Sequence, residues 1–114
     1  MRTCLKSLVL ALAVSAATTL PASAECYDVF GCTDQNFFRL QDLLSGPNCD
    51  FLYTMRNEIY KEHGYCFHTP HAISVFGNEG CVTGDANRLG LNRYELANAA
   101  TILQAEHIKG CPEW

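Results

Sequence analysis

The sequence predicts a mainly α-helical, small, disulfide-stabilised single domain of about three to four short helices. Three observations carry this. The amino terminus reads as a leader that is removed on export, the remaining cysteines are even in number, and apolar residues recur at helical spacing between recognisable caps. No stretch alternates with period two for long enough to predict a strand.

The leader comes first. Arg2 and Lys6 give a positive start, residues 7–20 are uncharged, and Ala22-Ser23-Ala24 places small residues where a signal peptidase reads them. The apolar core of about 14 residues is shorter than the ~20 that span a bilayer, and no later segment approaches that length. Cleavage is expected after Ala24, so residues 1–24 are read as a secretory signal peptide and Glu25 opens the mature chain. Residues 25–48 are read as an N-terminal extension with a short helix, and residues 49–114 as the helical domain proper. With no further transmembrane segment, the product is expected in the periplasm or secreted.

A mature chain of this size sits near the lower limit of what an unaided hydrophobic core can hold together. Cys4 leaves with the leader, so Cys26, Cys32, Cys49, Cys66, Cys81 and Cys111 remain, which predicts three disulfides. Losing Arg2 and Lys6 also leaves six basic residues against twelve acidic ones, a net charge of −6 with His neutral. No Lys/Arg cluster interrupts that balance, which argues against nucleic acid or an anionic membrane as partner.

The elements follow in order. After Asp34, the spacing of Phe37, Leu40, Leu43 and Leu44 predicts a short helix closed by Gly46-Pro47. Residues 50–63 place Leu52, Met55 and Ile59 on one stripe, with Asp50 in the first turn and Gly64 where a left-handed cap belongs. Thr69 as N-cap and Pro70 at the first helical position introduce a brief helix carrying Ala72, Ile73 and Phe76 and ended by Gly77. Residues 78–90 are rich in turn formers and predict a loop pinned by Cys81. In the last helix, Asn92 and Glu95 form a capping box and Leu91 is expected to pack on Leu96. Its buried stripe is expected to be Leu96, Ala99, Ile102 and Leu103, and Gly110 ends it.

A helix between Cys49 and Cys66 would hold their α-carbons about 20 Å apart, beyond the ~7 Å a disulfide bridges. With Cys26 and Cys32 closing a small loop, either Cys49–Cys111 with Cys66–Cys81 or Cys49–Cys81 with Cys66–Cys111 remains. Antiparallel packing of the two long helices favours the first, because it brings the start of one beside the end of the other.

The stretch Met55-Arg56-Asn57-Glu58-Ile59-Tyr60-Lys61-Glu62-His63-Gly64-Tyr65-Cys66-Phe67 resembles the YARHG domain. That module takes its name from Tyr-Ala-Arg-His-Gly, preceded by Arg-Asn-x-Ile and followed by an aromatic, one residue and Phe. Arg56, Asn57, Ile59, Tyr60, His63, Gly64, Tyr65 and Phe67 match. A later rhythm of the family appears as Leu91, Glu95, Asn98, Ile102 and Glu106, so the likeness spans about residues 50–107. Two departures stand out. Lys61-Glu62 replaces Ala-Arg and inverts the local charge, and Cys81 falls where the family often carries Trp-Tyr. The resemblance implies a bacterial extracytoplasmic module that binds cell-wall material such as peptidoglycan, without catalysis.

Read chemically, Arg56, Tyr60 and His63 lie along one edge of a helix and can present a guanidinium, a phenol and an imidazole to a sugar or a peptide carboxylate. Arg56, Asn57, Tyr60, His63 and Tyr65 are therefore the candidate binding residues. The competing structural reading has Arg56 and Asn57 bonding nearby backbone, Tyr60 packing, His63 near the helix-end carbonyls and Gly64 at positive φ. His63, His68 and His71 do not complete a metal site, because no carboxylate pattern joins them. Asp85, Asn87 and Gly90 fit the first places of a calcium loop, but Leu96 stands where the bidentate Glu is required.

No nucleophile is framed by a base. Ser45 and Ser74 lie in no recognisable elbow, and Glu58 and Glu62, four residues apart, read as a solvated helix flank. A lysozyme-like carboxylate pair involving Glu58 is the least poor catalytic version. The expectation is a non-catalytic, cofactor-free envelope-binding module. The alternative is a structural or protein–protein role in the periplasm, including inhibition of another enzyme, and sedimentation with cell wall or a defined protein complex would tell the two apart.

Overall fold

A computed structural model describes residues 25–114, and the expected signal segment lies outside the described residues. The chain opens in a minimal antiparallel hairpin, β1 (Cys26–Tyr27) and β2 (Gly31–Cys32), with Cys26 opposite Cys32 and Tyr27 opposite Gly31. The Cys26–Cys32 disulfide closes it. Strands two residues long show no alternation, which is why the pattern of the sequence did not reveal them.

Helix α1 (Leu40–Ser45) starts later than the residues after Asp34 suggested. The backbone of 33–38 is committed elsewhere: Asn36 N–H donates to Cys32 O, and Phe38 N–H donates to Asn98 Oδ1. That changes which phenylalanine is buried. Phe38 enters the core, while Phe37 is 56% exposed and packs at a tilt against Tyr94.

Helix α2 (Cys49–Glu62) is capped by Asn48, whose side chain accepts from Phe51 N–H at 2.8 Å. Leu52, Met55 and Ile59 are buried, as their spacing requires. The helix ends at His63 and Gly64, and Gly64 has φ +84°. A Cβ there would also lie 2.9 Å from Val82 Cγ2, so glycine serves both the turn and the close approach of the 82–83 segment. Helix α3 (Pro70–Phe76) follows its Thr69 cap. The next connection is a loop containing one 3₁₀ turn, Ala86–Arg88, tied back by Cys66–Cys81 and by Asn78, which bonds both backbone groups of Phe67.

Helix α4 (Arg93–Ile108) has the capping box in full, Asn92 accepting from Glu95 N–H and Glu95 accepting from Asn92 N–H. Its buried face is not the expected one. Ala99 and Ile102 are buried, but Leu96 is 58% and Leu103 39% exposed, and Ala105, Glu95, Asn98 and Glu106 face inward instead. Leu91 packs against the core while Leu96 does not. The phase of α4 is set by the contacts of Glu106 with Arg56 and of Glu95 with His63, and by the hydrogen bonds of Asn98, which outweigh the apolar gain from turning two leucines inward.

Helices α2 and α4 pack antiparallel, so the Cys49–Cys111 bridge joins the start of one to the end of the other. With Cys66–Cys81, this is the pairing that helix geometry favoured. The core is one cluster, Phe38, Leu43, Leu52, Met55, Ile59, Ala99, Ile102 and Ala105. Residues ahead of Cys49 contribute two of its members and hold its end closed. Among the described residues no helix is long and apolar enough to cross a membrane.

Candidate functional site

The outer edge of α2 carries the motif, and its polar residues meet different fates. Arg56 reaches across to α4, with Nε 2.5 Å from Glu106 Oε2 and Nη2 3.2 Å from Glu106 Oε1. The guanidinium also lies 5.7 Å from the centre of the Tyr53 ring. His63 Nε2 sits 2.6 Å from Glu95 Oε2, and the other oxygen of Glu95 caps α4. Arg56 and His63 therefore clamp α2 to α4 through contacts with carboxylates of α4 rather than through nearby backbone. Asn57 is buried, and its Nδ2 donates to Tyr53 O within the helix.

The later rhythm of the motif supplies the partners. Glu95 and Glu106 are the two carboxylates, and Asn98 between them accepts from Phe38 N–H and donates to Thr33 O and Asn36 O. Helical spacing puts all three on one face of α4, where they tie it to α2 and to the N-terminal segment.

Beside this clamp runs a groove. A hollow of about 230 Å³ is lined by Arg56, Asn57, Tyr60, Tyr65 and Ala86. A second, of about 190 Å³, shares Arg56, Asn57 and Tyr65 and continues past Tyr53, Phe67, His68 and Trp114. Four of the five candidate binding residues come together here, and His63 is not among the lining. The rings support one another: Tyr65 lies 5.7 Å from Tyr60 and 5.1 Å from Phe67, and Trp114 packs edge-on to Tyr53 at 4.8 Å.

Sequence reasoning missed Tyr53 and Trp114. Tyr53 precedes Arg56 by one turn and Tyr60 by two, a spacing that could have found it. Trp114 follows Cys111, whose bridge to Cys49 holds the C-terminal segment at the start of α2, and it packs there on Tyr53 and His71.

The remaining ionisable groups are accounted for locally. His68 Nε2 donates to Gly84 O at 2.9 Å, and His71 stacks on Trp114 at 4.7 Å, so the two imidazoles have separate partners. Asp85 caps the 3₁₀ turn through Asn87 N–H. Among the described residues no group of three or more His, Cys, Asp or Glu side chains could hold a metal ion.

Glu58 and Glu62 are not the solvated flank their spacing suggested. Both are partly buried against the N-terminal hairpin, and burial there disfavours their charged forms. Burial, with the Glu25 carboxylate next in importance, pushes Glu62 up to about 7 against an opposing hydrogen bond from the Glu25 backbone. Glu58 is raised by the same two causes, and the Tyr27 phenol is pushed up by burial and by Glu58.

The fold and groove define a disulfide-stapled helical module whose charged motif residues join two helices and whose aromatic residues line an open surface. Three disulfides place such a module in an oxidising compartment. The chain belongs to the YARHG domain family, whose model matches residues 31–107, a span that takes in α1 as well as the motif helices. The family is one of small, non-catalytic extracellular modules. Within it, this chain carries Tyr-Lys-Glu-His-Gly and additional cysteines. No curated protein and no solved structure matches the chain.

Proposed function

We propose that this is an exported, non-catalytic module that binds a bacterial cell-envelope component, peptidoglycan first among the candidates. The observation that carries the reading is the groove in which the rings of Tyr60, Tyr65 and Trp114 reach the surface, backed by the buried Asn57, Tyr53 and Phe67. Aromatic faces flanked by a few polar groups suit a sugar ring, which presents apolar C–H faces and a hydroxyl edge. Arg56 keeps its place on the wall of the groove while its charge is balanced by Glu106, so ring contact and hydrogen bonding dominate over anion capture. Cleavage after Ala24 delivers the module to the periplasm or the medium.

The test is sedimentation of the oxidised mature protein with isolated peptidoglycan, beside Tyr60→Ala, Tyr65→Ala and Trp114→Ala variants shown to be folded. Saturable binding that the variants lose supports the reading, and wild-type protein left in the supernatant overturns it.

A protein partner is the second reading, favoured by a different surface. Val29, 72% exposed, and Phe51, 44% exposed, border a largely apolar hollow of about 330 Å³ with Phe30 and Pro47. A complex of defined stoichiometry that Val29→Asp abolishes would favour it.

A further inference from the structure

We infer that the α-ammonium created at Glu25 by removal of the leader forms an ion pair with Glu62 at the end of α2, so that maturation itself completes the electrostatics of the fold. The inference rests on the export reading above, and two independent lines converge on the same nitrogen. The Ala22-Ser23-Ala24 pattern places the cut before Glu25. In the folded chain, the backbone of Glu25 is already hydrogen-bonded to the Glu62 carboxylate.

That nitrogen is held in place. Glu25 O accepts from Thr33 N–H at 3.0 Å, and the next residue is both paired in β1 and bridged to Cys32. Little chain entropy is left to lose when the pair forms. The surroundings call for a positive charge. Around Glu62 stand the carboxylates of Glu25, of Glu58 one turn earlier on α2, and of Glu95 on α4, with the Tyr27 phenol of β1 nearby. The neighbouring basic side chains have other partners: Lys61 donates to Phe76 O, and His63 lies on Glu95.

With Glu25 still in a peptide bond its nitrogen is neutral, and ionised Glu62 faces three like charges. Cleavage replaces that neutral amide with an amine whose ordinary pKa is about 8, protonated at neutral pH and placed against the carboxylate. Processing thus ties the N-terminal hairpin to α2 by charge, and the unprocessed chain lacks that tie.

The experiment compares two oxidised 25–114 chains, one with a free α-amine and one N-acetylated at Glu25, by following the Glu62 carboxyl in a carbon-13 NMR pH titration. The expected result is a Glu62 midpoint lower by about one pH unit or more in the free-amine chain, with the α-amine midpoint raised and that rise lost in Glu62→Gln. Equal Glu62 midpoints in the two chains overturn the pairing. Separately, N-terminal sequencing of the exported full chain should begin at Glu25, and any other first residue overturns the maturation step whatever the titration shows. Neither outcome depends on peptidoglycan binding.

Discussion

Removing the Arg56 side chain should cost far more stability than removing its partner. The Glu106 carboxylate is only 6% exposed, whereas the Arg56 side chain is 20% exposed. Arg56→Ala strands a nearly buried charge and also removes the cation from the Tyr53 ring. Breaking a buried pair costs about 3–5 kcal/mol, and the partial exposure of Arg56 places the expected loss near ~3 kcal/mol. Glu106→Ala leaves a guanidinium that can swing toward water, so about 1–2 kcal/mol is expected. The assay is urea unfolding of the oxidised mature protein by far-UV circular dichroism, as a double-mutant cycle. At a slope of about 1 kcal/mol per molar urea, Arg56→Ala should lower the midpoint by roughly 3 M. Arg56→Ala with Glu106→Ala together should recover part of the loss, giving a coupling energy of about 2 kcal/mol. A loss below about 1 kcal/mol for Arg56→Ala, or additive single losses, would refute the view that this motif arginine clamps α2 to α4.

Further outcomes follow from the same structure. Asn98→Ala should destabilise by about 3 kcal/mol, because it leaves Phe38 N–H, Thr33 O and Asn36 O without their partner; hydrogen exchange should show 33–38 losing protection first. Replacing both cysteines of the Cys49–Cys111 bridge, 62 residues apart, by alanine should cost about 4 kcal/mol, against about 3 for Cys66–Cys81 with its separation of 15. Equal thermal midpoints for the two double variants would contradict the loop-length ranking. While Glu25 nitrogen remains an amide, the folded Glu62 carboxyl sits above its ordinary 4.5, at about 7, so stability is full below pH 4.5 and declines as pH rises toward 7. Glu62→Gln in the N-acetylated chain should reduce that decline to the part contributed by Glu58, whose carboxyl is also raised, a gain of about 1 kcal/mol at pH 8 after allowance for solvent screening at a half-exposed site. A variant with the same pH profile as its parent would show that Glu62 is not the group responsible.

Much of the fold is legible in the sequence because it is decided locally. The Thr69-Pro70 start of α3, the Asn92/Glu95 box of α4 and the Leu52–Met55–Ile59 stripe of α2 depend on neighbours within a turn or two, and all are present. The motif likewise brings Arg56, Asn57, Tyr60 and Tyr65 to one face, since helix spacing and the Gly64 turn suffice. What the sequence by itself determined, then, is the helical class, the three disulfides and the edge of α2 on which a site can form. The tertiary structure decided which cysteine pairing occurs, which face of α4 is buried, and which motif residues are engaged by α4. The reason is physical. Leu96 and Leu103 gain from burial one by one, but the rotation that buries them would leave Glu95, Asn98 and Glu106 without His63, Phe38, Thr33 and Arg56, and polar partners that lie 32 to 65 residues away in the chain leave no local periodicity to read.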